Sequence, residues 1–157
     1  MTDPIHHDRI LLPTDGSDCA KEAMRHAIDI ARRYDAALYV IHVVNTGVAA
    51  SGMDIFSAYN AGQLFDELED AGREIVDAAV EEAQSEGIES VEGAVLDGAP
   101  DAEILKYIDD HDIDLVVMGT HGRRGLSRAL LGSVTEKVVR LAPVPVFTIH
   151  TSDTEKP

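Results

Sequence analysis

Apolar positions along this chain recur with two periods, and the switches between them divide it into strands and helices. Arg9–Thr14 (R-I-L-L-P-T) predicts a first strand, stopped by Pro13 and released into Asp15-Gly16-Ser17. Ala20, Met24, Ala27, Ile30, Ala31 and Tyr34 follow at helical spacing, predicting an amphipathic helix to about Tyr34. Ala37–Val44 (A-L-Y-V-I-H-V-V) is β-branched and almost wholly apolar, the pattern of a second strand buried on both faces. The stretch 46–62 is rich in small residues, with Val48, Met53, Ile55, Phe56 and Tyr59 scattered through it. It reads as a connector or short helical excursion, or as a lid or partner surface.

Leu64, Leu68, Ala71, Ile75, Ala79 and Ala83 make the stripe of the longest helix, Gln63–Glu86, with Gly87 as its stop. Val91–Leu96 predicts a third, weaker strand, and Asp97-Gly98-Ala99-Pro100 a turn with Pro100 suited to a first helical position. A short helix follows over Ala102–Asp110, using Ile104, Leu105 and Ile108. Leu115–Met118 is a fourth buried strand. Beyond a glycine-rich segment come a helix over about Val134–Ala142 and a fifth strand, Val144–His150, entered through Pro143 and Pro145. Five alternations of strand and helix predict the α/β class, with a parallel sheet, right-handed crossovers and helices on both faces. One domain is expected over 9–150, between a loose N-terminus (1–8) and a flexible tail (151–157).

In an open α/β sheet, ligands bind beyond the carboxyl ends of the strands, where the strand order reverses. A flavodoxin-like order would put that crevice between strands one and three, served by Thr14–Ser17 and Asp97–Pro100. The order 3-2-1-4-5 would set Pro13-Thr14-Asp15 against Gly119–Gly122, and strand four carries the richer equipment for a phosphate. Motif placement therefore favours 3-2-1-4-5.

That equipment lies in Asp114–Val134, D-L-V-V-M-G-T-H-G-R-R-G-L-S-R-A-L-L-G-S-V. Glycines at 119, 122 and 125 let backbone N–H groups approach an anion, and a helix start adds unpaired donors. Each glycine alone could serve only a turn; three in seven residues, followed by Gly132-Ser133, favour a ligand. Ser133-Val134-Thr135-Glu136 is also a capping-box sequence, in which the Ser133 hydroxyl would bond the Glu136 N–H. Arg123, Arg124 and Arg128 could clamp a phosphate or pair with surface carboxylates. Asp15 could accept from ribose or adenine, hold Mg²⁺ through water, or form a turn. His121 could contact a phosphate or shape its loop. His6-His7-Asp8 has poor geometry for a metal, and no Cys/His spacing suggests zinc.

Composition narrows the classes. The 157 residues carry 29 Asp and Glu against 13 Lys and Arg, a net charge of −16. That balance argues against nucleic acid and anionic membranes as partners. The few lysines (four, against nine arginines) and the many acids suit a halophilic acidic protein, kept soluble where salt screens repulsion. The single cysteine, Cys19, excludes an internal disulfide and fits a reducing cytoplasm; a small structural residue explains it better than a reactive one. No apolar run is long enough to span a bilayer, and the first residues lack a signal-peptide pattern, so a cytoplasmic location is expected. There is no P-loop, no nucleophile elbow and no evident triad.

Gly119-Thr-His-Gly122, nine residues, then Gly132-Ser133 fits G-x2-G-x9-G-[ST], and with it the chain resembles the ATP-binding universal stress proteins. The opening I-L-L-P-T-D-G-S, the H-V-V of strand two and the ending A-P-V-P-V-F-T-I are similar to that family too, over roughly residues 9–150. The resemblance implies a three-layer Rossmann-like open sheet of order 3-2-1-4-5 and a homodimer through strand five (Val144–Ile149). It implies adenine and ribose contacts at Pro13, Thr14, Asp15 and Val43. Phosphate would be cradled at Gly119, Gly122, Gly132 and Ser133, with Met118, Val134 and Thr135 alongside. Gly125 and the arginines stand outside the motif. The ligand implied is ATP, or AMP or ADP, with or without Mg²⁺. The expected role is a stress-response sensor or regulator without efficient catalysis, since no general base for γ-phosphate attack is evident. The alternatives are a slow ATPase or nucleotidyl transferase using Asp15 and a divalent metal, and a nucleotide-free dimeric interaction module. Dimerisation has physical support of its own: Val144, Val146, Phe147 and Ile149 would leave an apolar edge strand bare.

Overall fold

The computed structural model describes residues 2–45, 47, 61–121 and 130–151. The expectations for 46 and 48–60, for Gly122, Arg123, Arg124, Gly125 and Arg128, and for 152–157 lie outside the described residues.

Five strands, β1 (Arg9–Pro13), β2 (Ala37–Val44), β3 (Val91–Asp97), β4 (Leu115–Gly119) and β5 (Val146–Ile149), form one sheet in the order β3-β2-β1-β4-β5. Every pairing is parallel. Among the described residues, four helices lie in the connections: α1 (Asp18–Tyr34), α2 (Ala61–Ser85), α3 (Pro100–Asp110) and α4 (Ser133–Leu141). The 3-2-1-4-5 order expected from the glycine segment is the observed one.

Alternation along the strands builds the three layers. Ile10 and Leu12 of β1, Leu38 and Val40 of β2, and Leu115 and Val117 of β4 face α1 and α2. Leu11, Tyr39, Ile41, Val116 and Met118 face the other way, against Ile104, Tyr107 and Ile108 of α3 and Val138 of α4. Both faces are buried, which explains the nearly unbroken apolar runs of the central strands. Each large side chain so buried contributes about 1.5–3 kcal/mol. On α1 the inward positions include Ala23, Ala27 and Ala31, small enough to bring the helix close to the sheet.

Local chemistry sets the helix ends. Ser17 caps α1, its hydroxyl accepting the Ala20 N–H at 3.1 Å, and Asp35 closes the helix in the left-handed region. Pro100 begins α3, two residues earlier than its apolar pattern suggests, because proline is preorganised for a first turn and Glu103 N–H reaches Ala99 O at 2.9 Å. β5 is shorter than expected, and Pro145 contributes only its carbonyl, which accepts from Val116 N–H at 3.0 Å.

The N-terminal segment is exposed through His6, but His7 and Asp8 are anchored. His7 is buried against Tyr34, with ring centroids 5.1 Å apart, and the Asp114 carboxylate accepts the N–H groups of Asp8 and Arg9 at 2.7 and 3.1 Å. Among the described residues, no helix is long and apolar enough to cross a membrane.

Candidate functional site

The sheet splits at its carboxyl edge between β1 and β4. β1 stays in register with β2 up to Pro13–Ile41, and β4 with β5 up to Gly119–Ile149. Between β1 and β4 only Ile10–Leu115 and Leu11–Val116 pair. Above that point the central strands part, and a cleft of about 530 Å³ opens, a size that suits a small organic ligand.

Two segments far apart in sequence wall it. Pro13, Thr14 and Asp15 leave β1, and Val43 comes from β2; Met118 and Gly119 end β4, and Gly132, Ser133, Val134 and Thr135 open α4. Every described residue expected at a ligand site therefore lines the same cleft. Ala20, Ile41, His42, Pro100 and His121 line it as well. Of these, the sequence singles out His121 in the glycine-rich segment and Pro100 as part of the crevice of the flavodoxin-like order. The signal for His42 was available: it is the one strongly polar residue in an otherwise apolar strand.

The β1–α1 turn is held by its own side chains. Thr14 Oγ1 accepts the Gly16 N–H at 3.2 Å, and Asp15 Oδ1 accepts the Ser17 N–H at 2.9 Å. Thr14 N–H extends the sheet by donating to Ile41 O at 2.8 Å, and the Thr14 carbonyl lies 2.8 Å from His42 Nδ1. A carbonyl only accepts, so Nδ1 carries the proton.

The opposite wall corrects one expectation. Ser133 is not the cap of α4; Gly132 is, in an extended conformation, with no side-chain capping bond. The Gly132 N–H donates to Thr120 O at 2.7 Å, and Glu136 N–H returns to Gly132 O at 2.9 Å. The long-range bond to Thr120 fixes the chain one residue before the local capping signal, so the helix starts at Ser133 and the Ser133 hydroxyl is not used as a cap. The N–H groups of Ser133, Val134 and Thr135 precede the first intrahelical bond, and a helix leaves such groups open towards an anion. The Thr135 hydroxyl, expected beside a phosphate, donates to Gly119 O at 2.9 Å instead.

Gly119 is required by packing. A Cβ there would lie 2.8 Å from Cys19 Sγ and 3.2 Å from the Cys19 carbonyl carbon. Cys19 cannot retreat freely, since its thiol donates to Ile149 O at 3.2 Å. The cysteine is thus a buried structural residue.

The cleft wall combines apolar surface (Pro13, Ile41, Val43, Met118) with three hydroxyl-bearing residues, Thr14, Ser133 and Thr135, and the start of α4. Among its described residues only Asp15, His42 and His121 are titratable, and none is Lys or Arg. No group of three or more His, Cys, Asp or Glu among the described residues is placed to hold a metal ion.

Residues 6–150 match the sequence profile of the universal stress protein family. The chain is 37% identical over 148 residues to universal stress protein MJ0531 of Methanocaldococcus jannaschii, covering 91% of this chain and 82% of that one. It superposes on the universal stress protein UspA of Lactobacillus plantarum with a TM-score of 0.83 and 26% identity, covering 93% and 99% of the two chains. Two further solved structures are liganded. A universal stress protein in complex with cAMP gives a TM-score of 0.68, 26% identity, and coverage of 94% and 100%. The Archaeoglobus fulgidus protein in complex with dAMP gives 0.67, 25%, and coverage of 93% and 99%. On sequence and fold together, this chain belongs to the universal stress protein family.

Proposed function

We propose that this protein binds an adenine nucleotide in the cleft between β1 and β4 and acts as a stress-response regulator rather than an efficient enzyme. One observation carries the reading: the two halves of the sequence motif that survive in the described residues, Gly119 and Gly132-Ser133, meet Pro13–Asp15 and Val43 around a single cleft. Apolar Pro13, Val43 and Met118 suit a base, and the start of α4 with the Ser133 hydroxyl suits a phosphate. The cAMP and dAMP carried by two similar structures support the same ligand class. ATP, with or without Mg²⁺, is the form we favour, and the cytoplasm the location. A bound nucleotide would lie against residues that bind and orient it, with Asp15, His42 and His121 as the titratable side chains among the described lining residues.

A homodimer through β5 belongs to the same proposal. β5 is the last strand of the sheet, and Phe147 on it is 46% exposed, with Val139 and Leu141 of α4 also exposed.

Mass spectrometry of ligand released from the purified protein, followed by calorimetric titration with ATP, AMP and cAMP, tests the reading. Saturable binding that Ser133→Ala weakens supports it. Absence of binding by all three nucleotides would sink it and leave a nucleotide-free dimeric module. Turnover of ATP abolished by Asp15→Asn with binding kept would replace regulation by slow hydrolysis.

A further inference from the structure

Gly72 lies inside α2, buried, where a helix disfavours glycine relative to alanine. Its neighbour explains it. A Cβ at 72 would stand 2.6 Å from Cδ2 and 3.3 Å from Nε2 of His42, and 3.3 Å from Val95 Cγ1. The imidazole is fixed on its other side by the 2.8 Å bond from Nδ1 to the Thr14 carbonyl, within the β1–α1 turn that walls the cleft. The ring therefore fills the space between the backbone of α2 and the backbone of the cleft wall, with no slack for a methyl group.

We propose that His42 is a positioning residue, a strut that sets the place of Thr14 and Asp15 and transmits the position of α2 to the ligand cleft. Gly72 is the seat of that strut. Neither Gly72 nor any other residue of α2 lines the cleft, whereas His42 does; an effect of position 72 on ligand binding has its shortest route through the ring, with Val95 of β3 as the other neighbour in reach. The inference rests on the nucleotide reading for its ligand but not for its geometry.

The test is a double-mutant cycle read with a fluorescent mant-ATP probe and, separately, by NMR. Gly72→Ala should weaken mant-ATP binding by about fivefold or more, while Gly72→Ala in a His42→Ala background, where the ring is gone, should bind no worse than His42→Ala alone. Equal effects of Gly72→Ala in both backgrounds, or no effect in the first, would overturn the strut. Should Gly72→Ala fail to fold, His42→Asn and His42→Leu decide. The Asn amide can still donate to Thr14 O, so it should recover most of the affinity that Leu loses; equal loss in both would overturn the proposal. If the wild-type protein binds no mant-ATP, the nucleotide reading fails and the strut is judged alone. The His42 ring should then show the Nδ1–H tautomer, and Gly72→Ala should move the Thr14, Asp15 and Gly16 amide signals. Unmoved signals would end it.

Discussion

The Thr135 hydroxyl donates to the Gly119 carbonyl across 2.9 Å and so ties the first turn of α4 to the end of β4. These two residues flank the segment 120–134, and the bond between them holds the two ends of the glycine motif together. Thr135→Val keeps shape and burial but removes the donor, and should cost about 1–3 kcal/mol by urea denaturation. Thr135→Ser, which keeps the donor, should retain nucleotide affinity that Thr135→Val loses. Equal affinities for the two variants would mean that the bond does not shape the cleft.

Two serines at helix starts should behave oppositely. Ser17 caps α1 through its bond from Ala20 N–H, and Ser17→Ala should cost about 1 kcal/mol of stability. Ser133 is the first residue of α4 and caps nothing, so Ser133→Ala should shift stability by less than about 0.5 kcal/mol while weakening nucleotide binding. Paired chemical denaturation and calorimetry on both variants check this. A large stability loss at Ser133 would restore the capping box.

The net charge of −16 makes stability depend on salt. The Arg25–Glu22 and Arg33–Asp29 pairs on α1 are local and largely solvated, and with 29 acidic residues against 13 basic ones pairing cannot neutralise the excess of carboxylates. Raising KCl from about 0.1 M to about 2 M screens that repulsion and should move the urea midpoint upward. A flat or falling midpoint would remove the case for adaptation to a salty medium.

Tyr107 offers a pH prediction. Burial, aided by Glu92 and Tyr39, pushes its phenol up from 10.0 to about 12, and His111 stacks on its ring at 3.7 Å. The folded state holds this proton more tightly than the unfolded state. Its contribution is therefore complete below the ordinary tyrosine value and lost as pH rises through about 12. Absorbance titration of the phenolate should show a late-titrating component that Tyr107→Phe removes; an unchanged titration curve would refute the assignment.

Periodicity made the strands and helices legible because the central strands are buried on both faces and the helices on one. Boundaries moved where a signal was tertiary. The S-x-x-E of Ser133–Glu136 is a sound local cap, but the Gly132 N–H bond to Thr120 O overrides it. β5 starts late because Pro145 has no N–H to give the ladder. The cleft was legible through glycines and the β1 turn, which carry sequence signatures. His42 stands out in A-L-Y-V-I-H-V-V as a polar residue, but on the meeting of its imidazole with the Thr14 carbonyl the sequence is silent. Gly72 was equally silent, its reason lying across a layer of the fold.

The parting of β1 from β4 has a mechanical meaning. Below the cleft the sheet is continuous, but towards its carboxyl edge it becomes two leaves, β3-β2-β1 and β4-β5, with no β1–β4 pairing beyond the rungs Ile10–Leu115 and Leu11–Val116. A molecule seated above those rungs touches both leaves at once and becomes the crosspiece the backbone omits. Loading the cleft would then add a second link between the leaves beside α1, whose Cys19 thiol already bonds Ile149 O of β5 at 3.2 Å.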